Sequence, residues 1–241
     1  MDDLTGRIRM NIDLTLARIV KAVNRSNRGP EAVQLVIVTK GQPVEVVQAA
    51  IMAGAKILGE NYAEEAIEKK LALEANYSVK WHMIGHVQSR KADLVAGNFG
   101  MIHSLDSLKL AGKLEQYLKK IEITMPVLLE FNVGGELTKF GWQANEPGSW
   151  DQLVPVVEQI QGFPHLKVSG LMTMSPYHRD PERSRSYFIN LRRLRDFLSS
   201  QLGIELKELS MGTSFDFEIA VEEGATLVRV GEAIVGKRHN Q

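Results

Sequence analysis

The 241-residue chain lacks several features, and each absence removes a class of function. It has no cysteine, which excludes disulfides, thiol nucleophiles and cysteine metal ligands. Its 29 basic residues balance 29 acidic ones, so charge gives no reason to expect nucleic acid or an anionic membrane as a partner. No apolar run approaches the length of a membrane span, and the first residues lack the basic-then-apolar pattern of a secretory signal. We therefore expect a cytoplasmic protein.

What the chain does contain is a regular alternation of short apolar segments with longer amphipathic ones. After an N-terminal helix predicted over residues 4–24, eight strand–helix units follow, and each strand is short and apolar on both faces. The predicted strands are 35–39, 57–58, 81–84, 101–104, 126–133, 166–172, 206–210 and 226–230. Eight units with nothing left over predict a single α/β domain over residues 1–241, a (β/α)8 TIM barrel. The alternative is a Rossmann-type sheet, but no predicted strand precedes Gly-x-Gly-x-x-Gly.

Lys40 stands where the first predicted strand ends, and in such a barrel the carboxyl ends of the strands carry the chemistry. Its amine leaves a buried strand and reaches the barrel mouth. A partly desolvated amine becomes a nucleophile for aldehydes and ketones. The alternative is a lysine whose side chain simply extends into solvent.

Arg229 lies inside the last predicted strand, on the same face as Leu227 and Gly231. An arginine within an apolar strand needs an acceptor, because burying an unpaired charge is costly. That acceptor is either a buried carboxylate, such as Glu60 or Glu130, or a ligand atom at the barrel mouth. The sequence leaves both alternatives open.

Small polar residues follow the last two strands and predict an anion site. The segment SMGTS at 210–214 precedes a short helix, and Gly231 lies in the turn after the last strand. Backbone N–H groups and the helix dipole favour an anion at such turns, and barrels commonly bind phosphate there. The hydroxyls of Ser210, Thr213 and Ser214 would add donors. The alternative is a helix that Ser214 caps without any ligand.

Three further features give weaker signals. His82 and His86 are four apart but lie in a strand and a turn, where they do not share a face, so we predict no metal site. The polar loop at 132–141 is a lid, a partner-binding loop or an exposed turn. An arginine cluster is most simply a solvated helix face; its members are Arg183, Arg185, Arg192, Arg193 and Arg195.

A series of short motifs resembles the YggS/PROSC family of pyridoxal-phosphate-binding homeostasis proteins, which share the barrel of alanine racemase. The motifs are VTK (38–40), GENY (59–62), WHMIGHVQS (81–89), NVGGELTKFG (132–141), GLM (170–172), SMG with Ser214 (210–214), VRVG (228–231) and Gly236. Each is short, but together they follow the family order over nearly the whole chain.

The resemblance implies a pyridoxal 5′-phosphate (PLP) site in the barrel mouth, with a covalent aldimine on Lys40. It places Asn61 and Met211 near the cofactor ring and directs Arg229 at the pyridine nitrogen. Phosphate is implied at Ser210, Ser214 and the backbone of Gly231, with Gly212 and Thr213 in the same segment. Three residues depart from the family pattern: Thr213 stands where methionine is common, Phe215 replaces an acidic residue, and Glu232 replaces threonine.

The resemblance also implies a function, namely PLP homeostasis by buffering or delivering the cofactor without catalytic turnover. The expected partners are PLP and the apo-forms of PLP enzymes, and the expected state is a monomer or weak dimer. A single-domain amino-acid racemase or decarboxylase is one alternative, and a class I aldolase is another. Racemases of this fold carry a second domain that supplies a catalytic tyrosine. We expect none in the ten residues after Gly231.

Overall fold

The computed structural model describes residues 2–73 and 77–237, and its centre is a closed ring of parallel strands. The strands are β1 (Gln34–Val38), β2 (Ile57–Glu60), β3 (Lys80–Met83), β4 (Met101–Leu105), β5 (Met125–Asn132), β6 (Trp142–Gln143), β7 (Leu166–Met172), β8 (Glu208–Thr213) and β9 (Leu227–Val230). β1 pairs with both β2 and β9, and β4 pairs with β5, which closes eight strands into a barrel. The predicted fold class is confirmed. Of the predicted domain 1–241, residues 1, 74–76 and 238–241 lie outside the described residues.

Helices follow the strands and cover the outside of the barrel. They are α1 (Asp2–Arg25), α2 (Val44–Met52), α3 (Ala63–Leu73), α4 (Ala92–Val95), α5 (Leu108–Lys120), α6 (Val154–Gln161), α7 (Arg185–Leu202), α8 (Phe217–Glu222) and α9 (Glu232–Val235). Local signals set their ends: the side chain of Ser107 caps α5, and Gly203 ends α7 in the left-handed conformation with φ 63°. Of the helices formed by the described residues, none combines the length and apolar character needed to cross a bilayer.

Two strands differ most from the sequence prediction. The two-residue strand β6 extends the sheet beside β5, and so short a strand leaves no periodic pattern in the sequence. β8 continues to Thr213, three residues past its predicted end, because this residue still pairs with Arg229 of β9. Ser210 therefore lies inside the strand instead of at its carboxyl end.

The barrel interior has an apolar base and a polar upper layer. The base consists of Val36, Ile57, Leu128, Met172 and Leu227, with Met101 beside them. Side chains alternate along a strand, so on β4, β5 and β9 the residue two positions further on the same face belongs to a buried polar upper layer, which β3 and β8 complete. The residues of this layer are His82, His103, Glu130, Ser210 and Arg229. A larger apolar core lies between the strands and the helices.

Ion pairs attach the arginine-rich face of α7 to α8. Arg185 pairs with Glu182, Glu222 and Glu223, and Arg192 pairs with Glu223 at 3.1 Å. The prediction of a merely solvated face is therefore wrong for these two arginines, which join helices that the sequence places far apart.

Candidate cofactor-binding site

A cavity of about 830 Å³ opens at the carboxyl ends of the barrel strands. Six of the nine residues predicted to bind the cofactor line it: Lys40, Asn61, Thr213, Ser214, Arg229 and Gly231. They come from four separated parts of the chain and meet only because the barrel closes. The structure thus brings together a primary amine, a guanidinium and the two predicted anion-binding turns.

A buried ion cluster fixes the backbone on both sides of Lys40. Lys69 Nζ donates to the carbonyl of Thr39 at 2.8 Å and to Glu60 Oε1 at 2.8 Å. It also contacts Glu65 Oε1, which accepts from the backbone N–H of Gly41 at 2.7 Å. Because Lys69 and Glu60 are almost fully buried, this cluster resists rearrangement and holds the start of the Lys40 side chain in place.

Glu60 is not the partner of Arg229, so that sequence-based alternative is wrong. Burial raises the pKa of Glu60, and the neighbouring Lys69 opposes this rise. The cation that compensates its charge is Lys69, on the Lys40 side of the barrel.

Arg229 instead reaches neutral acceptors in the upper layer. Its Nη1 donates to Ser210 Oγ at 2.5 Å, and its Nη2 contacts the carbonyl of Thr173 at 2.8 Å and Met174 Sδ at 2.9 Å. Burial lowers the pKa of Arg229 to about 10, and the charges of Glu130 and Asp216 oppose this effect. Arg229 therefore remains a cation near pH 7, with hydrogen bonds to groups that carry no charge.

Two histidines continue this hydrogen-bonded chain into the barrel. His103 Nδ1 lies 2.8 Å from Ser210 Oγ, and His103 Nε2 lies 3.0 Å from His82 Nδ1. Burial lowers the pKa of His82 to about 4 and that of His103 well below its ordinary value. Both rings are therefore neutral. His86 faces elsewhere, with Nδ1 2.6 Å from Asp106 Oδ2, so His82 and His86 do not converge on one point.

The predicted phosphate end consists of two turns joined by one hydroxyl. Ser214 Oγ accepts from the N–H of Gly231 at 3.2 Å and from that of Ala233 at 3.5 Å. A Cβ on Gly231 would lie only 3.1 Å from Val38, so glycine permits this close approach. Thr213 is less available, because Asp216 Oδ1 accepts from its N–H at 2.7 Å and from its hydroxyl at 3.0 Å.

Ser210, Met211 and Gly212 do not line the cavity. The hydroxyl of Ser210 is bonded to Arg229 and His103, and Met211 belongs to the core between barrel and helices. A Cβ on Gly212 would lie 2.6 Å from that of Ala220, so this glycine lets α8 approach β8. The physical reason is the extra length of β8, which moves the rim from Ser210 to Thr213 and Ser214.

The cavity walls include residues that the sequence analysis did not assign to the site. Glu130 is buried there, and burial together with Asp106 raises its pKa to about 7, while Arg229 and Lys139 oppose the rise. The rings of His86 and Phe140 stack at 3.8 Å with an angle of 7°. Two further wall residues are Tyr62 and Tyr177. The sequence named Glu130 only as an alternative partner of Arg229; its place two residues from Leu128 on the inner face of β5 also indicates the cavity wall.

Comparison with known proteins agrees with this architecture. The chain matches the model of the alanine racemase N-terminal domain over residues 15–239. An alanine racemase from Clostridium difficile superimposes with a TM-score of 0.70 at 16% identity, over 98% of this chain and 58% of that one, which shows a shared fold alone. The fold and cavity thus define a barrel of the alanine racemase N-terminal type.

Nearer relatives define the family more narrowly. The pyridoxal phosphate homeostasis protein of Aquifex aeolicus is 42% identical over 223 residues, which are 92% of this chain and 95% of that protein. PipY of Synechococcus elongatus, solved with PLP bound, has a TM-score of 0.77 at 31% identity and covers 90% of this chain and 100% of its own. The chain belongs to the YggS/PROSC family of pyridoxal phosphate homeostasis proteins, as its motifs implied.

Proposed function

We propose that this protein binds PLP at the barrel mouth as a Schiff base on Lys40 and serves PLP homeostasis without catalytic turnover. The observation that carries the proposal is the convergence of Lys40, Arg229 and the Ser214–Gly231 turns on one cavity. The names of the relatives and the PLP in PipY support it.

The donors and acceptors around the cavity fit three groups of PLP: its aldehyde, its phosphate and its ring hydroxyl. An aldehyde needs an amine, and Lys40 would supply it: its nitrogen would form a C=N bond with the aldehyde carbon, with release of one water. A phosphate would need donors: the hydroxyl of Ser214 can donate to it, and the N–H groups of Gly231 and Ala233 would donate to it by exchanging it for Ser214 Oγ, which accepts from both. The oxygen Oδ1 of Asn61 is buried without a hydrogen-bond partner among the described residues, and a ligand hydroxyl would satisfy it.

Arg229 determines what kind of PLP chemistry the site favours. PLP, when bound, supplies an electron-withdrawing ring, which is strongest when its nitrogen is protonated. A guanidinium stays charged and only donates hydrogen bonds, so it keeps an adjacent ring nitrogen unprotonated. The site therefore suits retention of the cofactor better than stabilisation of carbanions. In this proposal Ser210 acts through Arg229, while Met211 and Gly212 contribute to the packing of β8 against the surrounding helices.

Delivery to apo-forms of PLP enzymes is the second part of the proposal. The barrel mouth is bordered by exposed apolar side chains, including Phe140 and Tyr177, which are 53% and 77% exposed. Exposed apolar groups around an open cavity favour contact with another protein. A transfer assay would compare activation of an apoenzyme by loaded protein and by the same concentration of free PLP.

PLP titration followed by absorption spectroscopy tests the site. The wild type should develop an absorption band of the Schiff base, and Lys40→Ala should abolish that band while its urea unfolding midpoint stays unchanged. Lys56→Ala is a matched control, because Lys56 is exposed and precedes β2 at the opposite end of the barrel. A full band in Lys40→Ala would contradict the proposal.

An amino-acid racemase is the second candidate, because two tyrosines line the cavity. Two-base racemisation needs an acid and a base on opposite faces of the ring. The sequence predicts no tyrosine opposite Lys40, yet Tyr62 and Tyr177 are both in the cavity wall. Deuterium uptake at Cα of both alanine enantiomers distinguishes a racemase from a homeostasis protein. The control contains the same concentration of free PLP without protein. Uptake that depends on Lys40 and exceeds the control about a hundredfold, or about 2.7 kcal/mol of barrier, would establish an enzyme.

A further inference from the structure

The upper layer of the barrel contains a continuous chain of hydrogen bonds behind Arg229. We infer that Ser210 and His103 are positioning residues that fix the guanidinium of Arg229 through a one-directional chain ending at His82. The inference rests on the proposed function for its effect on PLP, but the chain itself is a property of the protein alone. It gives a role to two buried histidines that the site otherwise leaves unexplained.

The chain crosses the barrel interior from one wall to the other. It runs from Arg229 on β9 to Ser210 on β8, then to His103 on β4 and His82 on β3. β8 and β4 are separated by two strands in the ring, so the Ser210–His103 bond joins different walls. All four residues are at most 5% exposed. Water therefore competes little for these contacts, and each strand constrains one member.

The donors and acceptors allow one satisfactory arrangement of the protons. Arg229 can only donate, so Ser210 Oγ accepts from it. The hydroxyl proton of Ser210 then points to His103 Nδ1, which must be unprotonated, and His103 Nε2–H donates to His82 Nδ1. In the opposite direction, His103 Nδ1–H would donate to Ser210. The buried hydroxyl proton would then lack an acceptor, because Ser210 Oγ has no third partner within residues 2–73 and 77–237.

The charges around the chain keep both histidines neutral. Burial, His82 and Arg229 all lower the pKa of His103, while burial and the charge of Lys80 lower that of His82. The negative charge that attracts Arg229 comes from Glu130 and Asp216. A protonated His103 would donate to Ser210 and add a second cation beside Arg229. With neutral histidines, Arg229 is the only cation among the four hydrogen-bonded residues.

Loss of one hydrogen-bonding side chain should change the orientation of the Arg229 guanidinium without abolishing PLP binding. Ser210→Ala removes the acceptor for Arg229 and the donor for His103 together. His103→Gln keeps a side chain of polar character but not the ring geometry. Ser210→Thr keeps the hydroxyl and should restore the wild-type behaviour. These three variants separate the chain from general effects of altering a buried strand.

The first experiment needs no cofactor. Long-range proton–nitrogen NMR on protein with isotope-labelled histidine reports which ring nitrogen carries the proton. We expect His103 and His82 to be neutral, with protons on Nε2, between about pH 6 and pH 8. Ser210→Ala should shift the Nδ1 resonance of His103, and Ser210→Thr should reverse that shift. A proton on Nδ1 of His103 in the wild type would overturn the inference.

The second experiment uses PLP and separates this inference from the proposed function. Ser210→Ala and His103→Gln should shift the absorption band and weaken PLP binding about tenfold, the effect of losing one hydrogen bond to a charged group. Ser184→Ala is the control, because Ser184 is equally buried but precedes α7, and it should change neither property. An unchanged band and affinity in both chain variants would overturn the inference. Absence of any PLP binding by the wild type would instead refute the proposed function. The NMR result would still show whether the proposed direction of the hydrogen bonds is correct.

Discussion

The base and the upper layer of the barrel interior share the strands β5 and β9 but are built from opposite kinds of residue. Leu128 and Glu130 are two residues apart on β5, and Leu227 and Arg229 are two residues apart on β9. The distance between such neighbours on one face is about 7 Å. Within this distance the interior changes from closely packed aliphatic side chains to charged and hydrogen-bonded ones.

This difference separates stability from function within one interior. Apolar groups in the base are stabilised by removal from water without any specific partner. Each polar group above them costs free energy unless it finds a partner, which is why Arg229 contacts Ser210, Thr173 and Met174. Substitutions in the base should therefore reduce stability, and substitutions in the upper layer should mainly change PLP binding or the pH dependence of stability.

The largest effect should come from a cavity in the base. Leu128→Ala removes a fully buried side chain and should lower the free energy of unfolding by about 2–5 kcal/mol. Urea unfolding measures this loss. PLP affinity under folding conditions should remain near that of the wild type, because Leu128 is below the cavity. Strong loss of PLP affinity in the folded variant would show that the two layers are not separable.

A pH-dependent effect should distinguish the upper layer. The pKa of Glu130 is raised to about 7, so its contribution to stability is complete below the pKa of an unfolded glutamate, near 4.5. That contribution is lost as pH rises to about 7, because the unfolded chain then releases a proton that the folded protein retains. The loss is at most about 3 kcal/mol.

Glu130→Gln isolates this titration, because glutamine has a similar shape and no charge. The difference in unfolding free energy between wild type and variant should change between about pH 4.5 and pH 7, in favour of the variant as pH rises. Urea unfolding at several pH values measures it. A difference independent of pH would mean that Glu130 ionises normally.

Arg229→Gln should affect the cofactor more than the fold. The variant loses the cationic donor and should bind PLP more weakly by about 2 kcal/mol, with a shifted absorption band. Affinity for inorganic phosphate, measured by competition, should change little because the turns at Ser214 and Gly231 remain. A variant that fails to fold would assign Arg229 a structural role instead.

The smallest effect should come from the rim above both layers. Phe140 stacks on His86, and aromatic contacts of this kind contribute about 0.5–1.5 kcal/mol. Phe140→Ala should therefore accelerate PLP release a few-fold and lower the free energy of unfolding by no more than about 1.5 kcal/mol. Leu137→Ala is the control from the same loop, because Leu137 is 98% exposed and should have no effect. Equal rates in all three proteins, measured by transfer of PLP to a trapping amine, would exclude a lid.

Periodicity predicted the elements of the fold well, because burial imposes it along the chain. β7 has the predicted bounds, and the other barrel strands differ by at most three residues at either end. The predicted end of β8 was wrong because the sequence Met211–Thr213 resembles a turn. Pairing with β9 keeps these residues extended. That error of three residues placed Ser210 at the rim.

The site was predictable where a residue ends a strand and not where residues meet across the barrel. Lys40, Ser214 and Gly231 follow strands directly, so their common location follows from the fold class. His103 is a lone histidine in an apolar strand, and only the closed barrel brings it to Ser210. The Lys69–Glu60 pair likewise joins a helix to a strand end, which no local pattern shows.

Reductive trapping tests the central claim most directly. Borohydride reduces a C=N bond to a stable amine, so after digestion the cofactor stays attached to the lysine that held it. The account predicts stoichiometric labelling of the peptide that contains Lys40, and none in Lys40→Ala. Labelling of another lysine at the cavity, such as Lys139 or Lys91, or an absence of label from the wild type, would contradict it.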